Sequence, residues 1–218
     1  MEKYGSEPNV VVDLRNKFPA IRDQGSRPLC LVFAASDLNA FIQNSNEMLS
    51  VEYLSYYSYI EDGQTDYTKG LTSKAVTRAL ENHGQPCEID LPYAKSAIIP
   101  PSPPGDYNNL FYAIGREQID LVDSLIKSLD QGCATIILAG ITQGFFNPKG
   151  SNVISDKNGS LANHALVVVG YGKYPDNECC FLIRNSWGES WANGGYAWLT
   201  SEYISNKVFI SLRLSKKI

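Results

Sequence analysis

Three residue types that together make a thiol nucleophilic occur in this chain in a definite order: Cys30, His164 and Asn185. Cys30 lies in Asp23-Gln24-Gly25-Ser26-Arg27-Pro28-Leu29-Cys30-Leu31-Val32-Phe33-Ala34-Ala35. A turn-forming stretch with Gly25 and Pro28 gives way there to an apolar run that reads as a buried helix. A cysteine at a helix start feels the positive end of the dipole and several unpaired N–H groups. Both favour the thiolate, the attacking form. An imidazole beside the thiol can take its proton, and a third group must fix the ring. His164 opens an apolar run through Val169, and Asn185 precedes Ser186-Trp187-Gly188. The only other histidine, His83, sits in Glu81-Asn82-His83-Gly84 at a helix end, where attraction to the dipole and end capping explain it.

Three segments resemble the motifs of papain-like cysteine peptidases: Gln24-Gly25-Ser26 with Cys30, Asn163-His164-Ala165 with Gly170-Tyr171-Gly172, and Asn185-Ser186-Trp187-Gly188. The histidine and asparagine follow the cysteine at roughly the 130–150-residue separation of that family. Weaker resemblance runs through Leu49 to Leu54 and Ala75 to Tyr93. The resemblance implies an α+β, two-lobe fold in one domain over residues 1–218. A helical lobe would span about 22–104, and 1–21 with 105–218 would form an antiparallel β-barrel lobe. The active site would lie in the cleft between them.

The resemblance also assigns roles. Cys30 is the nucleophile, His164 the proton carrier and Asn185 the orienting group. Gln24 donates to the oxyanion together with the Cys30 N–H. Asn163 presents its carbonyl to the substrate main chain, Gly70 pairs with substrate backbone, and Ala162 and Leu138 line the pocket for the second substrate residue. Trp187 covers the His164–Asn185 pair. The expected activity is that of a cysteine endopeptidase acting on peptide or protein through a thioester, without metal or organic cofactor. Two alternatives stay open: deamidation or transamidation on the same triad, and a binding module with a dead site. A propeptide or protein inhibitor is a further expected partner, and a monomer is expected.

The chain departs from the family signature Cys-Gly-Ser/Ala-Cys-Trp/Tyr, since those positions read Arg27-Pro28-Leu29-Cys30-Leu31. Arg27 stands where the family has a cysteine in a disulfide, as in a divergent, bacterial-type member. Pro28 and Leu29 are expected to reshape the near wall of the cleft. Five cysteines, with one reserved as nucleophile, permit at most two bridges. The missing partner beside the nucleophile favours a reducing compartment, so a cytoplasmic location and no structural disulfide are expected. Cys179-Cys180 reads as one buried and one exposed thiol at a strand start. Asn158-Gly159-Ser160 matches a glycosylation sequon and is read as a chance match.

Bulk properties are those of a water-soluble enzyme. A chain of 218 residues can build a sizeable core. With 44% hydrophobic and 19% charged residues and a net charge of −4, it has no general attraction for nucleic acid or anionic membrane. Met1 to Pro8 is polar, unlike a signal peptide, and no recognisable propeptide precedes the motifs. No apolar run approaches a bilayer span.

The elements that must position these residues are legible as periodic runs. The helix beginning near Cys30 extends to about Ile42 and is apolar on nearly every face of its first turns. Leu49 to Ile60 reads as a helix capped by Ser50, and a third is capped by Thr72 or Ser73 and closed by Gly84. Ile98 to Gly105 reads as a polyproline-like crossing between lobes. Leu121 to Leu129 reads as a helix ending at Gly132. Strands are expected at Ala134 to Ile141, His164 to Tyr171, Cys180 to Arg184, Gly195 to Thr200 and Val208 to Leu214, as a small antiparallel barrel. A polar loop is expected over Gly144 to Gly159, with a turn at Asn158-Gly159.

Overall fold

The computed structural model describes residues 4–95, 105–118, 122–148, 150–155 and 159–217. The proline-rich crossing and Asn158 of the predicted turn lie outside the described residues.

Helix α1 (Cys30–Gln43) is the spine of the molecule. Every residue from Leu31 to Phe41 is buried, as the absence of a polar stripe predicts. It stops at Asn44, which takes the left-handed conformation at φ 55°. Helix α2 (Val51–Asp62) starts where the Ser50 hydroxyl accepts the Tyr53 N–H at 3.1 Å, and it ends at Gly63 with φ 63°. Helix α3 (Ser73–Asn82) starts where the Thr72 hydroxyl accepts the Ala75 N–H. His83 caps its far end, stacked on Tyr57 with ring centroids 3.9 Å apart and 3.4 Å from the Glu61 carboxylate. That placement makes His83 a structural residue.

An eight-stranded sheet packs against α1. Its strands are β1 (Asn9–Asp13), β2 (Ala113–Gln118), β3 (Thr135–Ile141), β4 (Val153–Ile154), β5 (Ala162–Lys173), β6 (Cys179–Arg184), β7 (Tyr196–Thr200) and β8 (Val208–Lys216). They run in the order β2-β8-β3-β5-β6-β7-β4, with β1 paired to β5. All pairings are antiparallel except β4 with β7. Helices α4 (Val122–Asp130), α5 (Gln143–Phe146) and α6 (Ser201–Lys207) complete the described elements.

The Gly170-Tyr171-Gly172 motif has a packing explanation. The backbone of β1 lies directly on it, and a Cβ at Gly170 would meet the Val12 carbonyl oxygen at 2.3 Å. A Cβ at Gly172 would meet the Asn9 carbonyl at 2.8 Å. Both positions need glycine because another chain segment occupies the space of a side chain.

Two expectations are corrected here. Cys179 and Cys180 are both buried, because β6 is covered on both faces along its whole length. The expected loop over Gly144 to Gly159 also carries the end of α5 and strand β4. Strands β1 and β2 went unseen because they are mostly exposed and do not alternate cleanly between apolar and polar residues.

The helix layer is locked to the sheet by a buried ion cluster. Asp37 of α1 accepts from Arg184 Nε of β6 at 2.6 Å and from the Arg22 guanidinium. Arg184 also donates to the Tyr196 hydroxyl at 2.8 Å and the Ala20 carbonyl at 2.7 Å. Burial alone would raise the Asp37 pKa, but the Arg184 and Arg22 charges outweigh it and hold the carboxyl below its ordinary range.

A depressed carboxylate pKa contributes stability above the unfolded-state value, and this is lost as pH falls through the folded-state value. Asp37→Asn leaves two buried guanidiniums without their carboxylate and is expected to cost about 3–5 kcal/mol at pH 7. The gap between variant and wild type should shrink as pH drops below roughly 4. Urea unfolding across that range checks this, and a pH-independent gap would contradict it.

Candidate active site

The site is built where α1, β5 and the segment after β6 meet. Cys30 is the first residue of α1, so its N–H has no partner within the helix. His164 lies near the start of β5, paired across the ladder with Ala139 of β3. Asn185 directly follows β6, and its N–H donates to the Gly195 carbonyl at 3.0 Å. A small cavity of ≈ 130 Å³ is lined by Cys30, His164, Asn163, Gly70 and Leu138 of the predicted residues, with Pro28, Leu31, Val32, Leu71 and Ala165.

The hydrogen bonds fix the state of the imidazole. Asn185 Oδ1 accepts the Ser186 N–H at 2.8 Å, so that atom is the oxygen of the amide. The same oxygen lies 2.7 Å from His164 Nε2. Nε2 must therefore carry the proton, which leaves Nδ1 as the bare, basic nitrogen. Among the described residues no hydrogen bond joins Cys30 Sγ to His164, although both line the same cavity.

Burial holds the imidazole pKa down at about 4, against the Asn185 hydrogen bond, which raises it. Burial also pushes the Cys30 thiol up, while the backbone N–H groups of Ala165, Leu31 and Cys30 pull it back. The helix start therefore acts in the predicted direction, but removal from water outweighs it. Removal from water thus works against the charged form of both groups.

Aromatic rings shield the pair. Trp187 stands 4.8 Å from the His164 ring, with Phe145 at 5.4 Å and Phe146 stacked on its outer face. Trp191 packs against both Trp187 and Phe145. Trp187 thus lies against the His164 ring. The ring of phenylalanines and Trp191 around it carried no signal in the motifs.

Gln24 is buried beside the site with its amide orientation settled. Oε1 accepts the Ser186 hydroxyl at 2.6 Å, and Nε2 donates to the Arg27 carbonyl at 2.9 Å. A carbonyl can only accept, so Nε2 is identified and keeps one further N–H to offer. Ser186, which sequence reasoning left without a role, holds both Asn185 and Gln24: its backbone N–H and its hydroxyl each take one amide oxygen.

Two expectations about the cavity do not hold. Ala162 is exposed at the start of β5 and does not line the cavity; Ala165, three residues on, does. Pro28 lines it as expected, but Leu29 is buried in the core instead. Leu29 occupies the N-cap position of α1. All five cysteines carry free thiols. Among the described residues no cluster of three or more His, Cys, Asp or Glu side chains could hold a metal ion, and no helix is long and apolar enough to cross a membrane.

The structure is a helical layer against a mostly antiparallel sheet, with Cys30 from the first and His164 from the second lining one cavity. Residues 9–213 match the model of the papain family cysteine proteases, and the chain belongs to that family. It is 25% identical over 205 residues to the thiol protease SEN102 of Hemerocallis sp., covering 89% of this chain and 55% of that protein. The chain spans about half the length of the curated relatives it matches. Its fold is that of xylellain, a cysteine protease from Xylella fastidiosa, at TM-score 0.77 and 20% identity, covering 100% of this chain and 90% of that one. The bromelain protease from Ananas comosus, solved with the E64 inhibitor, superposes at TM-score 0.73 and 20% identity, covering 97% and 100%.

A neutral imidazole at the thiol should make Cys30 alkylation depend on His164. Iodoacetamide should label Cys30 faster than Cys87, Cys133, Cys179 and Cys180, and His164→Ala should abolish the difference. Peptide-level mass spectrometry reads both rates; equal labelling of Cys30 and the exposed Cys133 in the wild type would contradict it.

Proposed function

We propose that this protein is a cysteine endopeptidase that hydrolyses peptide bonds through Cys30, His164 and Asn185. The observation that carries the reading is the tautomer: Asn185 Oδ1 accepts a hydrogen bond from Nε2–H, which leaves Nδ1 as the base in the cavity that Cys30 also lines.

In the first half-reaction Cys30 Sγ attacks the scissile carbonyl carbon, and His164 Nδ1 takes the thiol proton. The carbonyl electrons move onto oxygen, where the free Gln24 Nε2–H and the Cys30 N–H donate to the developing charge. The imidazolium is steadied by Asn185. It then gives its proton to the departing amine, the C–N bond breaks and a thioester remains. In the second half-reaction water attacks the thioester while His164 takes its proton. Collapse releases the acid, and the proton returns to sulfur. In this reading Gly70 and the Asn163 carbonyl hold the substrate main chain along the cleft, with Leu138 beside the second substrate residue.

Cleavage of a fluorogenic peptide library tests this reading. The wild type should cleave peptides and Cys30→Ala should be inactive yet equally stable. Release of ammonia from glutamine peptides without backbone cleavage would instead assign a deamidase. Gln24→Ala should lower kcat by about 10²–10³ with a smaller change in KM, because the donor acts on developing charge; an unchanged kcat would remove Gln24 from the mechanism.

The pH profile follows from the imidazole. His164 is neutral, and competent as a base, above its pKa of about 4. The acid limb of kcat/KM should therefore fall near pH 4, and a limb near 6.5, the value of an unperturbed histidine, would contradict it.

A further inference from the structure

We propose that Arg27 is a positioning residue for the oxyanion donor Gln24, acting through a buried ion pair with Glu52; this rests on the peptidase reading above. The Arg27 carbonyl is the acceptor that holds Gln24 Nε2 at 2.9 Å, and it also accepts the Leu29 N–H at 2.8 Å. Where that carbonyl points therefore decides where the second Nε2 hydrogen points.

The Arg27 side chain fixes the carbonyl. Its two terminal nitrogens grip the Glu52 carboxylate at 2.6 and 3.1 Å, and one of them also donates to the Ala94 carbonyl at 3.1 Å. The guanidinium stacks over the Tyr93 ring at 5.0 Å. Tyr93 in turn donates its hydroxyl to the Gln24 carbonyl at 2.7 Å, and Lys95 pairs with Asp23 at 2.5 Å. Arg27, Glu52 and Gln24 are all buried. Helix α2 and the segment Tyr93 to Lys95 thus clamp the loop from both sides of Gln24. A bidentate arginine fork gives direction as well as attraction, which a lysine ammonium cannot reproduce.

Displacing a catalytic donor by even 1 Å can cost up to about a hundredfold in rate. Arg27→Met is expected to lower kcat about ten- to a hundredfold with KM changing less. Arg27→Lys should fall between Arg27→Met and the wild type. The deciding measurement is a double-mutant cycle with Gln24→Ala. If Arg27 acts through Gln24, Arg27→Met should cost little further kcat in the Gln24→Ala background. Alkylation of Cys30 by iodoacetamide builds no oxyanion and should proceed at the wild-type rate in Arg27→Met. Additive losses in the cycle, or an equal loss of alkylation rate, would overturn the proposal and make the pair a general support of the fold. Should Arg27→Met not fold, Arg27→Lys and Glu52→Gln carry the same cycle, and failure of all three to fold would also overturn it. A wild type that alkylates selectively at Cys30 but cleaves no peptide would instead sink the peptidase reading, and this proposal with it.

Discussion

The Asp37–Arg184 ion pair is the constraint on which the site depends. Asp37 lies two turns along α1 from Cys30, and Arg184 is the residue before Asn185. One buried carboxylate therefore ties the helix that carries Cys30 to the strand that leads into Asn185. A hydrophobic contact between the same two elements would stabilise them without fixing their relative depth, because apolar packing is non-directional. Charge-assisted hydrogen bonds have fixed geometry. With Arg22 on the opposite carboxylate oxygen, and with Tyr196 and Ala20 each accepting from one terminal Arg184 nitrogen, the cluster leaves little freedom for one layer to slide past the other.

Around that anchor the site is arranged as two amides and one base. Asn185 and Gln24 present opposite ends: the first offers its oxygen to the imidazole, and the second donates an N–H to the Arg27 carbonyl. Ser186 sets both, through its N–H and its hydroxyl. The loop carrying Gln24 is held by ion pairs, a stacked tyrosine and hydrogen bonds, in a chain whose thiols are all free. Such a clamp is reversible and directional, and its strength derives from burial of both partners, since an exposed arginine–glutamate pair is worth little.

Much of this was legible in the residues. The helix cap at Ser50 declared itself, because a hydroxyl before an apolar run has one obvious use, and the cap left open between Thr72 and Ser73 is Thr72. The long central strands were readable from continuous β-branched runs. The short and edge strands were not, because β1 is largely exposed and β4 has two residues. Cys30, His164, Asn163, Gly70 and Leu138 do line one cavity, whereas Ala162, exposed at the start of β5, is not among its lining residues. What the residues could not reveal is pairing at long range. Nothing local links Arg27 to Glu52 or Asp37 to Arg184, and Leu29 was read as a cleft residue because sequence does not say which way a helix-cap side chain turns. The upward push of burial on the thiol was hidden for a similar reason. The helix start is a local feature, but burial by β5 is a product of the whole fold.

The central claim is that Cys30 forms a thioester with the acyl half of a peptide substrate. It is tested most directly by rapid acid quench of the wild-type protein mixed with an activated peptide ester, followed by mass analysis of the digested chain. The account predicts a transient acyl increment on the peptide containing Cys30, formed faster than free acid appears and absent in Cys30→Ala. Acid released with no acylated intermediate, or an increment on another residue, would contradict it.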